Sequence, residues 1–150
     1  MITFIRTDSG NTDFVELVKD LDAELRDRDG ADHAFFAQFN KIDSINHVIV
    51  AIENGKPVGC GAIKAFGEKT VELKRMFVPL NHRGKGIASG ILHELEAWAQ
   101  ELGNVKCVLE TGKRQPEAIA LYTKNGYHRI SNYGQYIDVE LSLCFEKLLI

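Results

Sequence analysis

Apolar residues near the start of the chain recur at helical spacing. Phe14, Leu17, Val18, Leu21 and Leu25 fall at i, i+3, i+4, i+7 and i+11, one stripe of an amphipathic helix. Asn11 or Thr12 is placed to cap it, and Asp13 suits the positive end of its dipole. A second short helix is expected over Asp32 to Asn40, carrying Ala34, Phe35, Phe36 and Phe39. The period then becomes extended. His47 to Ile52 is β-branched and apolar, and Asn54-Gly55 offers the positive φ angles of a two-residue hairpin turn. Val58 to Phe66 returns as the partner strand, Gly67-Glu68-Lys69 turns again, and Thr70 to Val78 forms a third strand that Pro79 stops. Three such strands make an antiparallel meander.

From Gly86 the spacing is helical once more. Ile87, Ile91, Leu92, Leu95, Trp98, Ala99 and Leu102 share a face, with Glu94, Glu96, Gln100 and Glu101 opposite, and Gly103 ends the helix. Val105 to Glu110 reads as a short buried strand. Pro116 opens a helix carrying Ala118, Ile119, Leu121 and Tyr122, which Gly126 closes. Last, Ile137, Val139, Leu141, Leu143 and Phe145 alternate with Asp138, Glu140, Ser142, Cys144 and Glu146, the pattern of a half-buried strand. The order is α, α, three strands, α, β, α, β. This is an α/β chain with a sheet of mixed direction. No repeat, low-complexity tract or linker divides it, so residues 1–150 are taken as a single domain.

Composition narrows the function. With 45% hydrophobic and 26% charged residues, the chain can bury a core and is not disordered or fibrous. A net charge of -3 argues against a general nucleic-acid binder, which needs a basic face. No apolar run approaches the roughly 18 residues of a membrane span, and the first residues lack the order of a signal peptide. Cys60, Cys107 and Cys144 are odd in number and widely spaced. They read as small buried hydrophobes in a reducing compartment, so cytoplasm is expected.

Candidate chemistry concentrates in Glu72-Leu73-Lys74-Arg75-Met76-Phe77-Val78-Pro79-Leu80-Asn81-His82-Arg83-Gly84-Lys85-Gly86-Ile87-Ala88. A strand enters a glycine loop that opens a long helix. Free amides at such a start, with the dipole's positive end, suit a phosphate or pyrophosphate, and Arg83 and Lys85 add two positive charges. Taken alone, the same residues are also a glycine-rich turn with solvated basic side chains. Glu72 shares a strand face with Lys74 and is either a catalytic carboxylate or one paired with Lys74 or Lys69. Glu110 either binds a cationic acceptor or relays a proton, or it is a strand-end carboxylate bonded to nearby amides. Tyr133 and Tyr136 are candidates for lining an acceptor pocket. His82 and His128 read as solvated or structural. No His/Cys/Asp spacing suggests a metal, and no serine sits in a nucleophile-elbow motif.

The loop resembles the acyl-CoA motif of the GNAT superfamily of N-acetyltransferases, Q/R-x-x-G-x-G/A, through Arg83-Gly84-Lys85-Gly86-Ile87-Ala88. Asn81 stands where Gln or Arg is usual. A second stretch, Ala118-Ile119-Ala120-Leu121-Tyr122-Thr123-Lys124-Asn125-Gly126-Tyr127, is similar to that family's helix and turn, with Gln115 in place of a frequent Asn on the cofactor side. The resemblance spans nearly the whole chain. It implies a mixed, mostly antiparallel sheet flanked by helices and splayed between its fourth and fifth strands. It implies amides of Phe77 and Val78 pairing with pantetheine, and a pyrophosphate on the amides from Arg83 to Ala88. Tyr122 would be the general acid at sulfur, and Glu72 would take the amine proton. The implied activity is transfer of an acetyl group from acetyl-CoA to a primary amine, with a small amine or amino-acid-like acceptor favoured. The expected partners are then acetyl-CoA and an amine acceptor, with room for a homodimer, and neither nucleic acid nor membrane. Two rivals stand beside this reading. One is a non-catalytic acyl-CoA-binding module. The other is a nicotinamide-dinucleotide domain, since Gly84, Gly86 and Gly90 fit GxGxxxG and Glu110 follows at a ribose-binding distance.

Overall fold

The computed structural model describes residues 1–30 and 44–149; the helix expected over Asp32 to Asn40 lies outside the described residues. Among them are the strands β1 (Ile2–Thr7), β2 (His47–Glu53), β3 (Lys56–Gly67), β4 (Thr70–Phe77), β5 (Lys106–Gly112), β6 (His128–Ile130) and β7 (Ser142–Leu148). The helices are α1 (Thr12–Asp29), α2 (Ile87–Glu101) and α3 (Pro116–Lys124). The strands form one sheet in the order β1-β2-β3-β4-β5-β7-β6. Neighbouring strands are antiparallel except β4 and β5. This architecture excludes the nicotinamide-dinucleotide reading, because a meander rather than a βαβ unit precedes the glycine loop.

Local signals place the elements as expected. Asn11 caps α1, its side chain accepting from the amide of Phe14 at 3.0 Å. Asn54 and Gly55 turn with φ of 53° and 77°, as a two-residue hairpin between twisted strands requires. The stripe of α1 packs on one sheet face, where Phe14, Leu17, Val18 and Leu21 meet Val48, Val50, Cys60, Ala62 and Phe77. On the other face α2 and α3 cover Ile49, Val71, Leu73, Leu109 and Phe145 with Ile91, Leu92, Leu95 and Tyr122.

Three expectations change. The edge strands β1 and β6 carry no clear period. β1 alternates only partly between half-buried and exposed positions, as an edge strand does. The alternation over residues 137–146 does not make one half-buried strand. β7 begins at Ser142, is paired on both sides, and buries Ser142, Leu143, Cys144 and Phe145 in succession. Ile137 is 59% exposed in the preceding turn. The Asn132 side-chain amide draws that turn together, donating to the carbonyls of Tyr136, Val139 and Ser142. Glu96, expected on the outer face of α2, is instead buried. Its carboxylate accepts from Tyr127 and Lys147, both at 2.9 Å, so the charge is paired and hydrogen-bonded.

All three cysteines are free and buried. Burial pushes the thiols of Cys60 and Cys107 up from 9.0 to about 12. A thiol reagent at pH 8 should therefore label the unfolded chain three times and the native protein scarcely at all. The unfolded thiols ionise near 9.0 while these two hold their protons to about 12. Stability from this source is thus intact below pH 9 and is lost as pH rises toward 12, which denaturant midpoints across that range will read.

Candidate active site

The site begins with a defect in the sheet. β4 and β5 pair only at Thr70 with Lys106, Val71 with Cys107 and Glu72 with Val108. Beyond Glu72 they part. The cause is visible on the other side of β4. Cys60 faces Phe77 and Ala62 faces Lys74, so Gly61 on β3 stands opposite two residues, Arg75 and Met76. That bulge bends β4 and puts Arg75 at φ 56°. Left-handed backbone costs a non-glycine residue about 1–2 kcal/mol. Two contacts hold it: Arg75 Nη2 donates to Asp22 Oδ1 of α1 at 2.6 Å, and the Cys60 thiol donates to the Arg75 carbonyl at 3.4 Å.

One cavity, of about 330 Å³, opens between α3 and the start of α2. Phe77, Val78, Arg83, Gly84, Gly86, Ile87, Ala88 and Gln115 all line it. Gly84 and Gly86 have φ of 82° and 80°, and Gly86 caps α2 without any side-chain hydrogen bond. The first amides of α2 therefore keep their donors, which is the arrangement that receives a phosphate. The two cations of the loop behave differently from the expectation. Arg83 is turned to structural partners: its Nε donates to the Val78 carbonyl at 2.7 Å and Nη2 to Glu24 of α1 at 2.8 Å. Lys85 is half exposed, 3.9 Å from Glu53, and does not line the cavity. His82 does line it, with a shielded Nδ1 that has no hydrogen-bond partner.

A second cavity, of about 100 Å³, lies on the α1 side of the sheet and is lined by Glu72, Lys74, Arg75, Glu110 and Tyr136 among others. Tyr122, Met76, Gln115, Ala118 and Leu21 line both cavities. The two spaces thus meet where the strands part. Glu72 is buried rather than on the surface. Its Oε2 accepts from the Tyr133 hydroxyl at 2.6 Å, and its Oε1 lies 3.6 Å from Lys74 Nζ. Glu110 accepts from the Ser142 hydroxyl at 2.7 Å. Tyr133 does not itself line either cavity; it holds Glu72, with Phe66 packed edge-on at 4.8 Å. Tyr122 is 6% exposed, and burial first, then Cys107 and Glu110, raises its phenol so that it stays protonated. Burial and then Glu72 do the same to Tyr133. His128 is exposed beside Glu146, and among the described residues no cluster of His, Cys, Asp and Glu is arranged to hold a metal.

Sequence reading missed Leu21, Glu24 and Asp22 of α1, which reach the site from about 50 residues upstream of β4. No local spacing reports such a contact. It also missed Asn125, whose amide donates to Ser89 at 3.1 Å and whose carbonyl meets His93 at 2.9 Å, tying α3 to α2 beside the cavity.

Residues 13–127 match the model of the Acetyltransferase (GNAT) family. The chain is 36% identical over 137 residues to an IAA acetyltransferase of Azospirillum brasilense, a match covering 90% of each. A Klebsiella pneumoniae structure assigned to the acyl-CoA N-acyltransferases has a TM-score of 0.84 at 30% identity, over 100% of this chain and 99% of that one. The PaiA N-acetyltransferase of Thermoplasma acidophilum, solved with coenzyme A, shares the fold with a TM-score of 0.70 at 16% identity, over 99% of both chains. Among the described residues no helix is long and apolar enough to cross a membrane.

Removing the donor to a buried carboxylate tests the Glu72 environment. Tyr133→Phe should lower the unfolding free energy by about 1.5–3 kcal/mol, the range for a hydrogen bond to a charged group. Urea unfolding will read it, and an unchanged midpoint would mean that the hydroxyl contributes nothing there.

Proposed function

Because the chain belongs to the GNAT family of acetyltransferases, and so is an acyl-CoA-dependent acyltransferase, we propose that it moves the acetyl group of acetyl-CoA directly onto a small primary amine. Residues 1–150 act as one N-acetyltransferase domain. The observation that carries this reading is the meeting of two cavities at Tyr122 and Met76, where β4 and β5 part. CoA occupies the larger one, its pantetheine along Phe77, Val78 and Gln115 and its pyrophosphate on the amides from Gly84 to Ala88, the Arg83 amide already donating to the Leu80 carbonyl. The amine occupies the smaller one. Three free thiols suit a reducing compartment, and we assign the protein to the cytoplasm.

In the reaction the C–S bond of the thioester breaks as a C–N bond forms. The acceptor enters as an ammonium with a pKa of about 10 and must lose its proton first. Glu72, buried at the parting of the strands, takes it, directly or through one water. A backbone amide at the parting faces the oxyanion of the tetrahedral intermediate. Tyr122, kept protonated by burial, donates to the departing sulfur. An acyl-enzyme route finds no support in the cysteines, because burial disfavours the Cys107 thiolate.

Three variants test the assignments. Gly86→Val places a β-branched side chain at φ 80° in the cradle and should weaken CoA binding more than tenfold, beyond about 1.4 kcal/mol, by calorimetry on folded protein. Glu72→Gln should lower kcat by roughly 10²–10⁴. That loss should shrink as pH nears the amine pKa, where solvent supplies neutral acceptor; near-normal kcat with an unshifted pH profile removes Glu72 as base. Tyr122→Phe should show a loss that high pH does not repair and that a donor with a more acidic thiol does.

A further inference from the structure

The smaller cavity carries both signs of charge. Glu72 and Lys74 lie two residues apart on β4, on the sheet face that looks toward α1. Glu110 comes to the same face, because Glu72 pairs with Val108, two residues before it on β5. Lys74 and Glu72 side chains are only 13% and 9% exposed. Arg75 follows at the bulge, its side chain 2% exposed and lining the same space.

Arg75 holds more donor capacity than its partners use. Nη2 bonds Asp22, whose own side chain is 43% exposed, while Nε is shielded from water and bonded to nothing. A buried donor left unmade is uncommon and unfavourable. A guanidinium presents five donors in a planar fork suited to carboxylates. A cavity built for a purely cationic amine gains nothing from two cations in its wall, since like charges oppose entry. The space is also small: about 100 Å³ against the roughly 300–1,000 Å³ of sites for drug-sized ligands.

Resting on the amine-acceptor reading above, we propose that the acceptor is a small zwitterion, an amino acid or similar amino-carboxylate, with its amine toward Glu72 and Glu110 and its carboxylate toward Lys74 and Arg75. Two carboxylates and two cations make a wall of balanced charge, and a molecule carrying one of each sign matches it. The chemistry is the same transfer: the ammonium loses one proton to Glu72 and so to solvent, the nitrogen gains the acetyl carbon, its second proton replaces the one Tyr122 gives to sulfur, and CoA leaves as the thiol.

The test compares acceptors matched except for the carboxylate. Release of CoA thiol from acetyl-CoA is measured with glycine, alanine, serine and valine, each beside its α-carboxamide and its decarboxylated amine. The expected result is a kcat/KM at least tenfold higher for one or more of the acids than for both of its counterparts. In Lys74→Met that ratio should fall toward one. This comparison within one variant cancels any general effect on Glu72. Equal or better use of the counterparts that lack the carboxylate overturns the zwitterion inference and leaves N-acetyl transfer standing. An undiminished ratio in Lys74→Met overturns the role given to Lys74 and with it the proposed carboxylate site. Thiol release with no member of the panel, in protein that still binds CoA, overturns both this inference and the amine-acceptor reading.

Discussion

The parting of β4 from β5 is the feature on which the rest of the site depends. A regular sheet would satisfy every amide of β4 from both sides and leave no passage between its faces. The bulge at Arg75 and Met76 breaks that regularity. It puts one residue in a left-handed conformation and bends the strand away from its parallel neighbour. The unfavourable backbone is held by an ion pair to α1 and by the Cys60 thiol, so the opening is anchored by tertiary contacts. Where the strands open, Tyr122 from one face and Glu72 from the other line the same cavity.

The loop after β4 is fixed from two directions. Arg83 bonds the Val78 carbonyl and Glu24, which ties the loop to the end of β4 and to α1. Asn125 binds α3 to α2 on the far side. Between these ties the amides at the start of α2 remain uncommitted. Gly84 and Gly86, at φ of 82° and 80°, give the loop the geometry that leaves these donors open.

On the face toward α1, the carboxylates of Glu72 and Glu110 each accept from a hydroxyl of the C-terminal part of the chain. Tyr133 holds Glu72 and Ser142 holds Glu110, and the turn that carries Tyr133 is drawn together by Asn132. Such hydrogen bonds keep a charged group tolerable out of water and fix its orientation. The segment from Asn132 to Ser142 thus positions groups on strands that precede it in sequence.

Much of this is legible in the sequence, and the reason is locality. Helical stripes in α1 and α2, the Asn54-Gly55 turn, Pro116 at the start of α3 and the glycines before α2 each depend on neighbours a few residues away. Periodicity and φ preference report such elements directly. The glycine loop and the helix around Tyr122 are also local strings, so the family resemblance they carry resides in the order of residues itself. What the tertiary structure alone decided depends on partners distant in sequence. The alternation from Ile137 to Glu146 is compatible with a half-buried strand until β6 and β5 enclose its second half and Asn132 curls its first. Glu96 belongs to the polar face of α2 until Tyr127 and Lys147 come under it. Arg83, Arg75 and Tyr133 acquire their tasks from Glu24, Asp22 and Glu72, between 53 and 61 residues away. A side chain's spacing tells which way it points from its own element, but its hydrogen-bond partner is set by the packing of elements against each other, and no local pattern encodes that.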